Sequence, residues 1–168
     1  MKKLIPLLSI FIIIAIVIVI FISMSEQKKM VVIHTGNYDK KPIDIELHHF
    51  QDSQCGMTIE SKINSVQVVA PDGRTWFFDD MGCMSKWYEH IKFKNEAVIW
   101  VYATDTKKYI DGRKAWYTRV ANTPMHYGFG AYEKKQDGFI DFNQVILYMI
   151  RGENLTNPYI KQKLLGNK

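Results

Sequence analysis

Cysteine is scarce in this chain, and where it occurs methionine is close by. Cys55 and Cys83 are its two cysteines, set in "CGM" at 55–57 and "CM" at 83–84. If 55–57 runs as extended backbone, Cys55 and Met57 project from one face with Cα atoms roughly 6.5–7 Å apart. Gly56 between them adds no side chain. A thiolate and a thioether converging on one point are soft ligands, and soft sulfur favours Cu(I). Zinc in a structural site usually takes four Cys or His ligands, more than this segment offers. Calcium and magnesium want oxygen. The same residues also admit a plainer reading: a Cys55–Cys83 disulfide, or a buried thiol that packs and does nothing else.

Two further stretches bear on the choice. In "DDMGCMSKW" (79–87) Met84 falls on the apolar stripe of a helix, which makes it core. Cys83 sits beside that stripe near the helix N-terminus, where the dipole lowers a thiol's pKa. It can be a ligand, a buried thiol or the partner of Cys55. In "TPMHYGFG" (123–130) Pro124 fixes the backbone just before Met125, which places that methionine well for presentation to a ligand. On a strand His126 would face opposite to Met125. His48, on the polar face of its segment, could approach the Cys55 stretch, while His49 would point away from it.

The elements that position these residues follow from hydrophobic period. "IDIELHHF" (43–50) alternates like a strand. "SVQVVA" (65–70) and "RTWFFD" (74–79) read as strands joined by a turn at Pro71, Asp72 and Gly73. Trp76, Phe77 and Phe78 are core by composition. Met81, Met84, Trp87, Tyr88 and Ile91 then recur at helical spacing, with Asp79 or Asp80 as N-cap. "AVIWVYA" (97–103), "KAWYTRVA" (114–121) and "YGFGAYEK" (127–134) read as strands. A last helix follows Asp141, burying Phe142, Val145, Ile146, Met149 and Ile150 and ending at Gly152. A strand pair followed by a helix thus occurs twice. This predicts an α+β fold of two similar small lobes, each an antiparallel strand pair with a packed helix.

The N-terminus adds a different expectation. Leu4 to Met24 is apolar except for Pro6, Ser9 and Ser23, and 21 helical residues span roughly 30 Å, the thickness of a bilayer core. Lys2 and Lys3 precede it, favouring a cytoplasmic N-terminus. No small-x-small cleavage site follows. The reading is a single-pass transmembrane helix over 1–25 and a tether over 26–42. A packed domain over 43–157 follows, with lobes about 43–95 and 96–157, and then a tail over 158–168. Without Lys2 and Lys3 the formal charge of +5 falls to +3, spread without a basic run, which argues against nucleic-acid binding. No nucleophile elbow or HExxH occurs, and 27 residues separate the cysteines, which excludes a CxxC redox centre. Nothing in the chain calls for an enzyme.

"CGMTI", "DGRTWFFDDMGCM" and "ANTPMHYGFGAY", in that order, resemble the NosL family of copper-binding accessory proteins in nitrous oxide reductase assembly. The likeness runs from about residue 50 to 135. It implies a fold of two related α+β lobes and a bacterial, membrane-tethered periplasmic domain carrying one Cu(I). Cys55 and Met57 match the family's cysteine and methionine, and Met125 matches the methionine of its Thr-Pro-Met block, the implied third ligand. Cys83, Met84, His126 and His48 are further ligand candidates. The implied partners are a copper-requiring periplasmic enzyme, nitrous oxide reductase first, and copper-exporting or assembly proteins of the inner membrane. Typical members are lipoproteins with an acylated cysteine; here a transmembrane helix would take over the tethering.

Overall fold

The structure is a computed structural model that describes residues 4–25 and 29–166, without the side chains of 4–7, 9, 22, 24 and 25. Helix α1 (Leu4–Ser25) opens it, followed by β1 (Ile33–His34), β2 (Val66–Val69), β3 (Thr75–Phe78) and α2 (Met81–His90). Then come β4 (Val98–Tyr102), β5 (Tyr109–Asp111), β6 (Trp116–Thr118), β7 (Gly130–Tyr132), α3 (Phe142–Ile150) and α4 (Pro158–Leu165). Strands β1 to β5 form one antiparallel sheet in the order β1-β3-β2-β4-β5, and β6 and β7 pair separately.

The turn at 71–73 closes the β2–β3 hairpin. Asp72 accepts from the Arg74 backbone N–H, and Gly73 takes φ +79°, which a side chain would resist. Asp80 caps α2 by accepting from the Gly82 N–H. Asp141 and Gln144 form a reciprocal capping box on α3. These local signals were readable, and the elements stand where they were expected.

The main core lies between one face of the sheet and the α2–α3 pair. Val66, Val68, Phe78, Ile99 and Val101 from the sheet pack with Met81, Met84, Tyr117, Phe129, Phe142 and Val145. The second face carries Phe77, and a long connection covers it with Ile45, Phe50 and Ile59. The buried Gln67 side chain fastens that connection, donating to the Ile43 carbonyl and accepting from the Ile43 N–H at 2.7 and 2.8 Å.

Two expectations about the fold need correction. The lobes are not separate, similar units. β2 and β4, one from each expected lobe, pair along their whole length from Val66↔Val101 to Val69↔Val98. All four β2 residues are buried, Gln67 included, because β2 is paired on both edges and the sheet is covered on both faces. The class is α+β, with one five-stranded sheet and a separate two-stranded ribbon.

The transmembrane anchor is the second correction. α1 is 22 residues long, and its described side chains at Leu8 and at 10–21 are exposed. Among the described residues no helix is long and apolar enough to cross a membrane. The anchor does not stand on these residues, and the single-pass inner-membrane placement with a periplasmic domain falls with it.

Smaller differences have clear causes. Residues 43–50 form no strand. β1 already occupies the β3 edge, so this segment crosses the sheet face and turns at 47–49, with His48 at φ 62°. β5 was missed because its residues follow a turn with no apolar alternation. The tail expected over 158–168 carries α4, capped by Asn157 with Pro158 in its first turn.

Candidate metal centre

The site is built where the Cys55 loop meets the end of β3. Asp52 is the organiser. Its Oδ1 accepts from the Gln54 and Cys55 backbone N–H groups at 2.7 and 2.8 Å, and its Oδ2 from the Asp79 N–H at 3.0 Å. Ser53 adds two stitches to Phe77: its N–H donates to the Phe77 carbonyl, and its Oγ accepts from the Phe77 N–H. The loop doubles back through Gly56, at φ +78°, and the Asp52 N–H then donates to the Met57 carbonyl. Residues 55–57 are therefore a tight turn, which corrects the extended geometry assumed for "CGM". The turn aims the Met57 N–H at the Cys55 sulfur.

Cys83 comes up from below, on the first turn of α2. That turn is wholly enclosed, with Met81 through Ser85 all buried. Gly82 makes the close approach feasible, because a Cβ there would lie 2.2 Å from the Tyr127 ring. The Cys83 sulfur comes within 4.8 Å of the Cys55 sulfur. Both cysteines are free thiols, Cys55 exposed and Cys83 buried.

Asp52, Cys55, Asp79 and Cys83 thus form a group that could hold a metal ion. One ligand atom from each lies within 4.8 Å of all the others. The electrostatics are one-sided. Among the described residues no ion pair reaches Asp52, Asp79 or Asp80. Burial, reinforced by the Asp52 carboxylate, pushes Asp79 up to about 8. Burial also raises Asp80, against hydrogen bonds from Thr123, Gly82 and Met125 that pull it down. Cys55 is raised by burial first, then by Asp52 and Asp79. Cys83 is raised strongly by burial and then by the surrounding acids. The lowered thiol pKa expected at a helix N-terminus is therefore corrected: desolvation and like charge outweigh the dipole.

The other sequence candidates fall around this group unevenly. Met57 is 44% exposed and lines an open cleft of about 320 Å³ with Thr58, Glu60, Ser61, Asp79 and Pro124. Met125 follows that proline, and its N–H donates to Asp80 Oδ2 at 3.0 Å. Its side chain is half-buried against the main core. Asp80 thus caps α2 and holds the Met125 loop with one carboxylate. Met84 is fully enclosed in the core. The chain turns at 124–126 and β7 begins only at Gly130, so the facing argument for His126 lapses. His126 has φ 57° and lines two other clefts, one with Asn122, Leu155 and Lys161 and one that shares Ser61 and Pro124 with the Met57 cleft. His48 is exposed in the 47–49 turn.

Asp52 was missed as a site residue, and Asp79 was read only as a cap. The signal for Asp52 is present in "DSQC", because an aspartate ahead of a turn accepts from N–H groups two and three residues on. Nothing local marks Asp79 as part of a site. No protein-family model matches the chain, and no curated protein or solved structure matches it.

Proposed function

We propose that this protein is a Cu(I)-binding metallochaperone that hands its ion to a copper enzyme, with nitrous oxide reductase maturation as the recipient that the NosL resemblance implies. The observation that supports this reading is the pairing of an exposed Cys55 thiol with Cys83, beside segments that carry Met57 and Met125. A carrier needs few ligands and an open side, so that a recipient can replace them one at a time. Cys55 is exposed and Met57 lines an open cleft, which suits such an exchange. Thioethers are neutral, so one thiolate with methionines leaves bound Cu(I) formally neutral, and transfer strands no charge. The reading requires no catalytic step.

The test is an anaerobic competition titration of the reduced full chain with Cu(I) against a chromogenic chelator. Wild type should take one tight Cu(I) per chain. Cys55→Ser should abolish it, and Met57→Leu and Met125→Leu should weaken it by on the order of tenfold or more. Cys83→Ser decides whether the second thiol is a ligand. If reduced wild type binds no copper while oxidation raises its thermal stability, a binding module stabilised by a Cys55–Cys83 disulfide replaces the chaperone.

A further inference from the structure

The copper reading uses sulfur and leaves two buried carboxylates unexplained. Asp79 is 3% exposed, and its Oδ1 has no hydrogen-bond partner. A buried carboxylate oxygen without a donor is costly, and native structures rarely keep one without a compensating group. The Asp79 carboxylate also contributes an oxygen to the same group of four as both thiols. Asp52 differs. Three backbone N–H groups occupy its oxygens, two on Oδ1 and one on Oδ2, so Oδ2 keeps a lone pair.

We propose that Cys55, Cys83, Asp79 and Asp52 form a four-coordinate site for a divalent cation of the zinc class, with the buried Asp79 carboxylate as the group left open for it. The donor chemistry selects this class. Two soft thiolates and two hard carboxylates make a mixed donor set that the borderline Zn²⁺ accepts, in the number that it takes. Calcium takes six to eight oxygens, and magnesium takes an octahedron of them. Cu(I) gains little from carboxylate oxygen. Metal–ligand bonds of about 2.0–2.3 Å put tetrahedral ligands roughly 3.3–3.8 Å apart. The present spread of up to 4.8 Å therefore has to contract by about 1 Å at its widest pair. The exposed Cys55 side chain can rotate on its held turn to close that distance, whereas Cys83 is enclosed in the first turn of α2. Binding exchanges the thiol protons and any proton shared by the carboxyls for the cation, with no change in oxidation state.

This site shares the Cys55–Cys83 pair with the copper reading but does not depend on that reading. Co²⁺ serves as the spectroscopic probe, titrated anaerobically into the reduced full chain and then displaced with Zn²⁺. Wild type should bind one ion per chain, with thiolate-to-cobalt charge transfer and the intense ligand-field bands of a tetrahedral site. Asp79→Asn should weaken it by on the order of tenfold or more. Cys83→Ser should lose about half of the charge-transfer intensity, since one of two thiolates is gone. Glu60→Gln, which removes a carboxylate from the adjoining cleft and not from the group of four, should bind as wild type does. Absence of cobalt binding, or an Asp79→Asn variant that binds like wild type, overturns the proposal. Should Asp79→Asn fail to fold, zinc X-ray absorption on wild type decides: two sulfur and two oxygen neighbours support the site, and any other set sinks it. A wild type that takes Cu(I) but no cobalt overturns this inference alone; cobalt without Cu(I) overturns only the chaperone.

Discussion

Asp52 shows how much one carboxylate can arrange. It fixes the Cys55 turn and the start of the Asp79–Asp80 segment through three charge-assisted hydrogen bonds. Its neighbour Asp79 bears the electrostatic consequence. Asp79 is pushed up to about 8, from 3.8 in the unfolded chain. Between those values the folded state holds a proton that the unfolded chain has released, so this group's contribution is fully present below about pH 4 and is lost as pH rises toward 8. Asparagine mimics the protonated acid. Urea unfolding of the metal-free, reduced protein should therefore show wild type losing stability relative to Asp79→Asn as pH rises from 4 to 8. A constant difference across that range would mean that Asp79 does not carry the raised pKa.

At the scale of elements, the first turn of α2 joins the site to the core. Gly82 lets that turn press against Tyr127, while Asp80 ties it to the Met125 segment. A methyl group at Gly82 meets three Tyr127 ring and Cβ atoms at 2.2 to 2.8 Å. Either the ring or the helix must give way. Gly82→Ala should cost about 1–3 kcal/mol by chemical denaturation, the range for overpacking. It should also weaken metal binding, because Cys83 is the next residue. A variant as stable as wild type would show that Tyr127 has room to move. The hairpin and both capped helices were legible because their signals are local: a Pro-Asp-Gly turn, helical spacing of apolar residues, and aspartate caps. Residues 43–50 misled because alternation specifies a half-buried segment, while whether it pairs depends on a free sheet edge.

At the scale of the whole molecule, the β2–β4 pairing joins the halves into one core that runs from Val66 to Met149. Phe129 comes from the C-terminal half and packs among residues of both. Phe129→Ala should destabilise the protein by about 3–5 kcal/mol, as for a buried aromatic. Fluorescence of Trp87 and Trp116, read in single-tryptophan variants, should report coincident transitions, as one cooperative unit requires. Separate transitions would restore the picture of two independent lobes.

The sequence by itself determined the secondary elements around the site, the α+β class, and Cys55 as the residue to watch. It did so because turn chemistry, capping and periodicity act over a few residues. Only the tertiary structure decided that Cys55 and Cys83 meet, that Asp52 and Asp79 join them, and that burial raises both thiols where a helix dipole alone would lower one. Those outcomes depend on which sheet edge is free, on which loop crosses which face, and on how much water the fold removes. Each is set by contacts between segments far apart in the chain, which no local pattern encodes.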